Sequence, residues 1–231
     1  MKKQKLLVGK VKVTYIIAFM CLVRCVCPAT PLPPTDGRSF YPLKPEDPHA
    51  IYFTPDKFQE VADGKSDVSE VLQQAINEVK TRYNFSILFI PAGLYRISIT
   101  IYILPAIRVI GYGKERPVFI LAKNTPGFQT AEPGDKGQGS YLFWFVSSLP
   151  APGKPVNDAG AGTVYSALSN VNLKIEAGNP SAVGLRTHFA RHSFISHLDI
   201  GIGEGKAGIF CNGSPLAVFA GDPLNIESDG R

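Results

Sequence analysis

The sequence predicts an all-β solenoid closed at its start by a capping helix, and three observations predict it. Short runs of β-branched and aromatic residues follow one another between residues 87 and 121, each ended by a Gly or Pro turn. One amphipathic segment precedes them. Further on, the chain aligns with itself at a nearly fixed offset.

Residues 1–29 stand apart. They hold Lys2, Lys3, Lys5, Lys10, Lys12 and Arg24 with no acidic residue, a largely apolar run from Val13 to Val23, and then Cys25-Val-Cys-Pro-Ala29. That order reads as a secretory signal peptide cut after Ala29, and it predicts a secreted or periplasmic protein with no membrane contact once the leader is removed. The apolar run is shorter than the roughly 20 residues that span a bilayer. An uncleaved anchor is the alternative. Leu22-Val23-Arg24-Cys25 also loosely resembles a lipidation box, into which Arg24 fits poorly.

The whole chain carries 24 basic and 19 acidic residues, but with the leader set aside the body falls one charge below neutral. It contains no Lys/Arg cluster interleaved with aromatics, so nucleic acid is excluded as a partner. Three of the four cysteines lie in the leader, leaving Cys211 without an internal disulfide partner. No Cys/His spacing suggests zinc. Stability must then come from packing.

Residues 30–62 are Pro-rich, and Pro42, Pro45, Pro48 and Pro55 rule out a long helix or a central strand, so an extended lead-in is expected. At Asp67-Val-Ser-Glu70 the pattern becomes that of a capping box, with Asp67 accepting from free amides and Glu70 returning the bond. Val68, Val71, Leu72, Ala75, Ile76 and Val79 then form one apolar stripe, while Gln73, Gln74, Asn77 and Lys80 are expected to face away. Strands are expected at Ile87–Ile90, Leu94–Ile97, Ile99–Ile103, Ile107–Ile110 and Val118–Leu121, with Gly111-Tyr-Gly113 as a turn between coils rather than a nucleotide loop. Residues 123–162 read as a long excursion holding one strand, Leu142–Val146.

Leu168-Ser-Asn-Val-Asn-Leu-Lys-Ile175 aligns with Ile195-Ser-His-Leu-Asp-Ile-Gly-Ile202, and Ala182-Val-Gly-Leu185 with Lys206-Ala-Gly-Ile209. Equivalent residues at such offsets mean stacked units that bury their apolar faces against one another. A β-sandwich also yields short strands with turns, yet gives no reason for the offset. With about four coils at ~4.8 Å each the stack would be ~19 Å tall. The segment 214–231 reads as a divergent tail without a closing element, so a piece of a longer, truncated β-helix is expected.

Ala62-Asp-Gly-Lys-Ser-Asp67, Leu72-Gln-Gln-Ala-Ile76, Leu88-Phe-Ile-Pro-Ala-Gly-Leu-Tyr95 and Val109-Ile-Gly-Tyr-Gly113 together resemble the opening of the pectate lyase-like, rhamnogalacturonase/epimerase-type β-helix superfamily. The later segment, with Ser169-Asn-Val, Gly178-Asn-Pro180, His188-Phe-Ala-Arg-His192 and His197-Leu-Asp199, is similar to its bacterial glycoside-hydrolase-like subgroup. Over residues 63–213 the resemblance implies a right-handed parallel β-helix working on polysaccharide along one long face. It implies either glycosidic hydrolysis or β-elimination from an acidic polysaccharide such as pectin or rhamnogalacturonan. A non-catalytic glycan-binding or structural β-helix, or an inactive remnant, stands as the alternative. No cofactor is expected, with Ca²⁺ entering only for a lyase.

Each chemistry makes a demand. Hydrolysis needs two converging carboxyl groups, and elimination needs a base and a cation that neutralises the uronate. The Asn-Thr-Asp, Asp-Asp, Gly-His-Gly and Arg-Ile-Lys motifs of polygalacturonases do not occur in this sequence, and the later coils offer only Glu176, Asp199 and Glu204 as acids. Asp199 falls beside Asn172 by the 27-residue offset. Asp199, His197 and His192 are therefore the candidate catalytic groups, with Arg186, His188, Arg191 and Trp144 as candidate substrate contacts. The competing reading makes Asp199 a solvated acid, the His/Arg cluster a polar turn and Trp144 part of the core.

Overall fold

The computed structural model describes residues 38–59, 61–130 and 139–211, and the backbone of 225–227. The expected leader lies outside them, as does most of the expected tail.

The chain winds as a stack of coils. The first holds β1 (Ile51–Tyr52), α1 (Pro55–Phe58), β2 (Asp63–Asp67) and α2 (Ser69–Tyr83). The second holds β3 (Ser86–Pro91), β4 (Leu94–Ile97) and β5 (Ile101–Ile103). The third holds β6 (Ile107–Tyr112), β7 (Val118–Leu121) and β8 (Ser140–Phe145). In the fourth, β9 (Ala167–Ile175) takes the place of two strands and is followed by β10 (Ala182–Thr187); β11 (Phe194–Gly201) and β12 (Ala207–Cys211) repeat that plan, and β13 (Asn225–Glu227) adds to β11.

All pairing between these strands is parallel, which makes the fold a parallel β-helix. The first half of β9 pairs with β6 and its second half with β7, so two separate faces merge into one strand there. The third face runs β5-β8-β10-β12.

The two offsets read from the sequence are the observed registers. Leu168 pairs with Ile195, Leu173 with Ile200, Val183 with Ala207 and Leu185 with Ile209. Inward positions stack into apolar rows: Leu88, Val109, Leu168 and Ile195 on the first face, and Tyr95, Phe119, Leu173 and Ile200 on the second. On the third face Ile101, Phe143, Leu185 and Ile209 do the same. Burying one such side chain is worth about 1.5–3 kcal/mol, so the rows supply the cohesion that disulfides would otherwise lend. The excursion contributes β8, buried along its whole length between β5 and β10.

Helix α2 closes the start of the stack, with Leu72, Ala75, Ile76 and Val79 inside the core. Two expectations about it need correction. Its N-terminus is not a capping box: the Ser69 N–H and hydroxyl donate to Asp67 at 2.9 and 2.6 Å, and the Ser69 hydroxyl accepts from the Ser98 N–H at 2.8 Å. Among the described residues Glu70 makes no return bond. Nor do Gln73 and Lys80 face away. The Gln73 amide accepts from the Tyr102 N–H at 2.7 Å and donates to the Tyr102 carbonyl at 3.0 Å, while Lys80 Nζ donates to the Pro105 carbonyl at 2.9 Å. The edge of β5 has exposed backbone groups that demand partners, and a side-chain amide matches a peptide group one for one.

Gly111 and Tyr112 extend β6, and the turn begins at Gly113, whose φ is +124°. Gly111 lies so close to the Asn170 carbonyl that a Cβ would collide with it, which is why this rung has no side chain.

Candidate functional site

Strands β9 and β11 bend at one residue each. Asn170 and His197 both have left-handed backbones, with φ of 55° and 51°, at equivalent positions of adjacent coils. The kink shifts the phase of alternation, so Ile195 faces inward before it and Leu198 and Ile200 after it. Ser196 and Asp199 are left on the outer side. Asn and His are among the few non-glycine residues that accept this conformation readily.

The candidates named from sequence separate into three places. Arg186 and Trp144 lie on the third face, 5% and 3% exposed, in a closed cluster. The Arg186 guanidinium donates to Asp158 through Nε and Nη2, the shortest contact being 2.7 Å, and Nη1 donates to the Tyr141 hydroxyl at 2.8 Å. Its plane lies 4.7 Å from the Trp144 ring, whose Nε1 donates to Asp158 at 2.7 Å. Burial disfavours the charge, but Asp158 and Tyr141 more than offset it and hold Arg186 more firmly protonated than usual. The sequence reading offered these two residues to substrate; the fold gives them to each other.

His188, Arg191 and His192 sit on the turn from β10 to β11. The His192 ring lies flat on Tyr165 at 4.9 Å with planes 8° apart, and both residues are left-handed corners one coil apart.

His197 and Asp199 form the third group, on the outer side of β11. Asp199 pairs with Asn172 in register as the offset required, and its N–H donates to Asn172 Oδ1 at 3.4 Å. Its carboxylate meets Arg116 Nη1 at 3.3 Å, and the Arg116 side chain is 3% exposed against 25% for Asp199. Arg116 was missed in the sequence, where an isolated Arg in a turn gives no periodic signal.

Around this group lies a strap from the lead-in. The Ser39 N–H donates to the Lys114 carbonyl, the Gly113 N–H to the Tyr41 carbonyl, and Arg116 Nε to the Arg38 carbonyl. The Phe40 N–H donates to Asn170 Oδ1 at 2.8 Å, and the Phe40 ring rests on His197 with centroids 4.6 Å apart. The strap too escaped the sequence reading, because its contacts are with residues more than 70 positions away.

Chemically, this group offers an imidazole and a carboxylate set against a guanidinium. Among the described residues no three His, Cys, Asp or Glu groups that could hold a metal ion come together. Two cavities of about 310 and 320 Å³ open elsewhere, either side of Ile99 near the start of α2. Among the described residues no helix is long and apolar enough to cross a membrane.

Comparison with known proteins places this architecture. No curated protein matches the chain. Similar solved structures include ORF18 of Geobacillus virus E2, at 18% identity and a TM-score of 0.43 over 68% of this chain and 28% of that one, and an iota-carrageenase complexed to iota-carrageenan fragments, at 16% identity and 0.41 over 71% and 31%. The chain thus spans less than a third of the length of either. The family model described as rhamnogalacturonase A/epimerase, pectate lyase-like, matches residues 56–218, which take in every coil from α2 to β12. With parallel coils, apolar rows and an N-terminal helix over the first rung, the chain belongs to the pectate lyase-like rhamnogalacturonase A/epimerase family.

Proposed function

We propose that this is an exported protein that acts on an acidic polysaccharide of the pectin or rhamnogalacturonan kind, with the outer side of β9 and β11 as its working face. The observation that carries the reading is the Arg116–Asp199 pair beside β11 of a β-helix of this family, with His197 two residues from Asp199 on the same strand. In it, His197 takes the proton, Asp199 orients the Arg116 guanidinium, and the His188, Arg191 and His192 turn supplies further donors to the acidic chain. β-Elimination fits these groups better than hydrolysis. It needs a base and a cation facing the uronate, roles that His197 and Arg116 take in this reading, whereas hydrolysis needs two converging carboxyl groups and Asp199 stands against a cation.

The test is incubation of the full chain with polygalacturonate, rhamnogalacturonan and alginate. Ultraviolet absorbance from unsaturated ends supports elimination, and new reducing ends without it support hydrolysis. His197→Ala should lower either rate by about 10²–10⁴. Silence on all three substrates overturns the catalytic reading. Export is checked by the mass of the mature protein, which should begin near residue 30.

A second reading, glycan binding without turnover, is favoured by the missing polygalacturonase motifs in the sequence. Retention on one of these polysaccharides with no product would select it.

A further inference from the structure

Phe40 and Tyr41 are exposed aromatic residues held in place by buried ones. Phe40 is 59% exposed and Tyr41 36%, their rings 5.0 Å apart and nearly perpendicular. Exposed rings on an extended lead-in ordinarily rotate and drift, because nothing repays the entropy of fixing them. Here the backbone beneath them is fixed residue by residue. Asn170, with no solvent exposure, spends its whole amide on this segment and its neighbour: Nδ2 donates to Ser39 Oγ at 2.8 Å and to the Gly111 carbonyl at 2.7 Å, while Oδ1 accepts the Phe40 N–H. The Gly113 N–H donates to the Tyr41 carbonyl at 2.8 Å. A buried amide with all its capacity engaged is a specific device, and packing does not require it to present an aromatic ring to water.

We propose that Phe40 and Tyr41 form a sugar-stacking platform that seats one pyranose of an acidic polysaccharide beside His197. The inference rests on the reading of this protein as one that engages such a chain. The Phe40 ring lies tilted by 47° against His197 and remains 59% exposed, next to the group that would do the chemistry. The C–H face of a pyranose is an apolar patch of about ring size, and a rigid aromatic surface receives it with little loss of freedom on the protein side. The strap is held by the Lys114 carbonyl and the Arg116 guanidinium and bridges from Arg38 to Glu115; exposed Arg38 and Lys114 stand there against one exposed acid, Glu115, so the local charge is positive and suits a uronate rather than a neutral sugar. Trp144, expected from sequence to play this part, is 3% exposed and bonded to Asp158; Phe40 takes it instead.

The experiment measures binding of the full chain to polygalacturonate by affinity electrophoresis and calorimetry, with thermal melting alongside. Phe40→Ala and Phe40→Leu should each weaken binding about tenfold without moving the melting temperature, while Phe40→Trp should keep it. If Phe40→Leu binds as well as the native protein, apolar packing suffices and the platform is refuted, with the polysaccharide reading intact. If the native protein binds none of polygalacturonate, rhamnogalacturonan or alginate, both that reading and the platform fall.

Discussion

Two guanidinium–carboxylate pairs in this molecule look alike in burial and differ in everything else. Arg186 and Asp158 have side chains 6% and 23% exposed, and Arg116 and Asp199 have 3% and 25%. Arg186 meets its acid through two nitrogens, is held by a phenol and lies against aromatic rings. Arg116 meets Asp199 through one nitrogen at the long end of the range and leans on a backbone carbonyl of the strap. A pair closed on all sides is part of the scaffold, whereas one made through a single 3.3 Å contact is the looser of the two. Exposure alone does not tell them apart; the number and direction of bonds does.

The sharpest way to break this comparison is to remove one acid at a time. Asp158→Ala should destabilise by about 3–5 kcal/mol, because Arg186 would be left charged among aromatic rings, and urea denaturation reads this directly. Asp199→Asn should cost only about 1 kcal/mol, since it keeps an acceptor for Arg116, while abolishing most of any turnover. Equal losses of stability from the two changes would erase the distinction.

Next in size is Gln73→Ala at the cap. It strips both backbone partners from Tyr102 at the edge of β5, and about 1–3 kcal/mol should be lost, with faster amide exchange at Tyr102 as the local signature. The smallest effect concerns pH. Burial pushes the Asp67 carboxyl up, but bonds from Ser69 and Ser98 and the Arg96 charge outweigh it and leave its pKa lowered. A carboxyl held lower in the folded state adds stability above its unfolded value, and that contribution disappears as pH falls through the folded one. Asp67→Asn should therefore flatten the acid limb of the stability curve and leave neutral stability less affected than Gln73→Ala does.

The winding was legible because it is written in apolar residues at fixed offsets. Leu168 and Ile195, or Leu185 and Ile209, announce their stacking without reference to anything else. Asn172 beside Asp199 followed from the same arithmetic. What the offsets could not give is the partner from another coil. Asp158 sits 28 residues from Arg186 and Arg116 sits 83 from Asp199, and both acid–base meetings depend on loops whose lengths break the repeat. In the sequence Trp144 stays open between sugar contact and core because its run is uniformly apolar, and periodicity cannot distinguish a strand buried on both sides from an island in a loop. Gln73 and Lys80 read as solvent-facing since helical spacing reports direction, not the unmet hydrogen bonds of a neighbouring edge.

Between the paired residues Ile110 and Ser169 on one face and Val118 and Asn172 on the next, the third coil spends residues 111–117 where the fourth spends only 170–171. That surplus is where Arg116 originates and where Gly113 and Lys114 take hold of the N-terminal segment. Lengthening or trimming it would re-aim both at once while every rung kept its alignment, so this corner can change what it presents without any rebuilding of the frame beneath it.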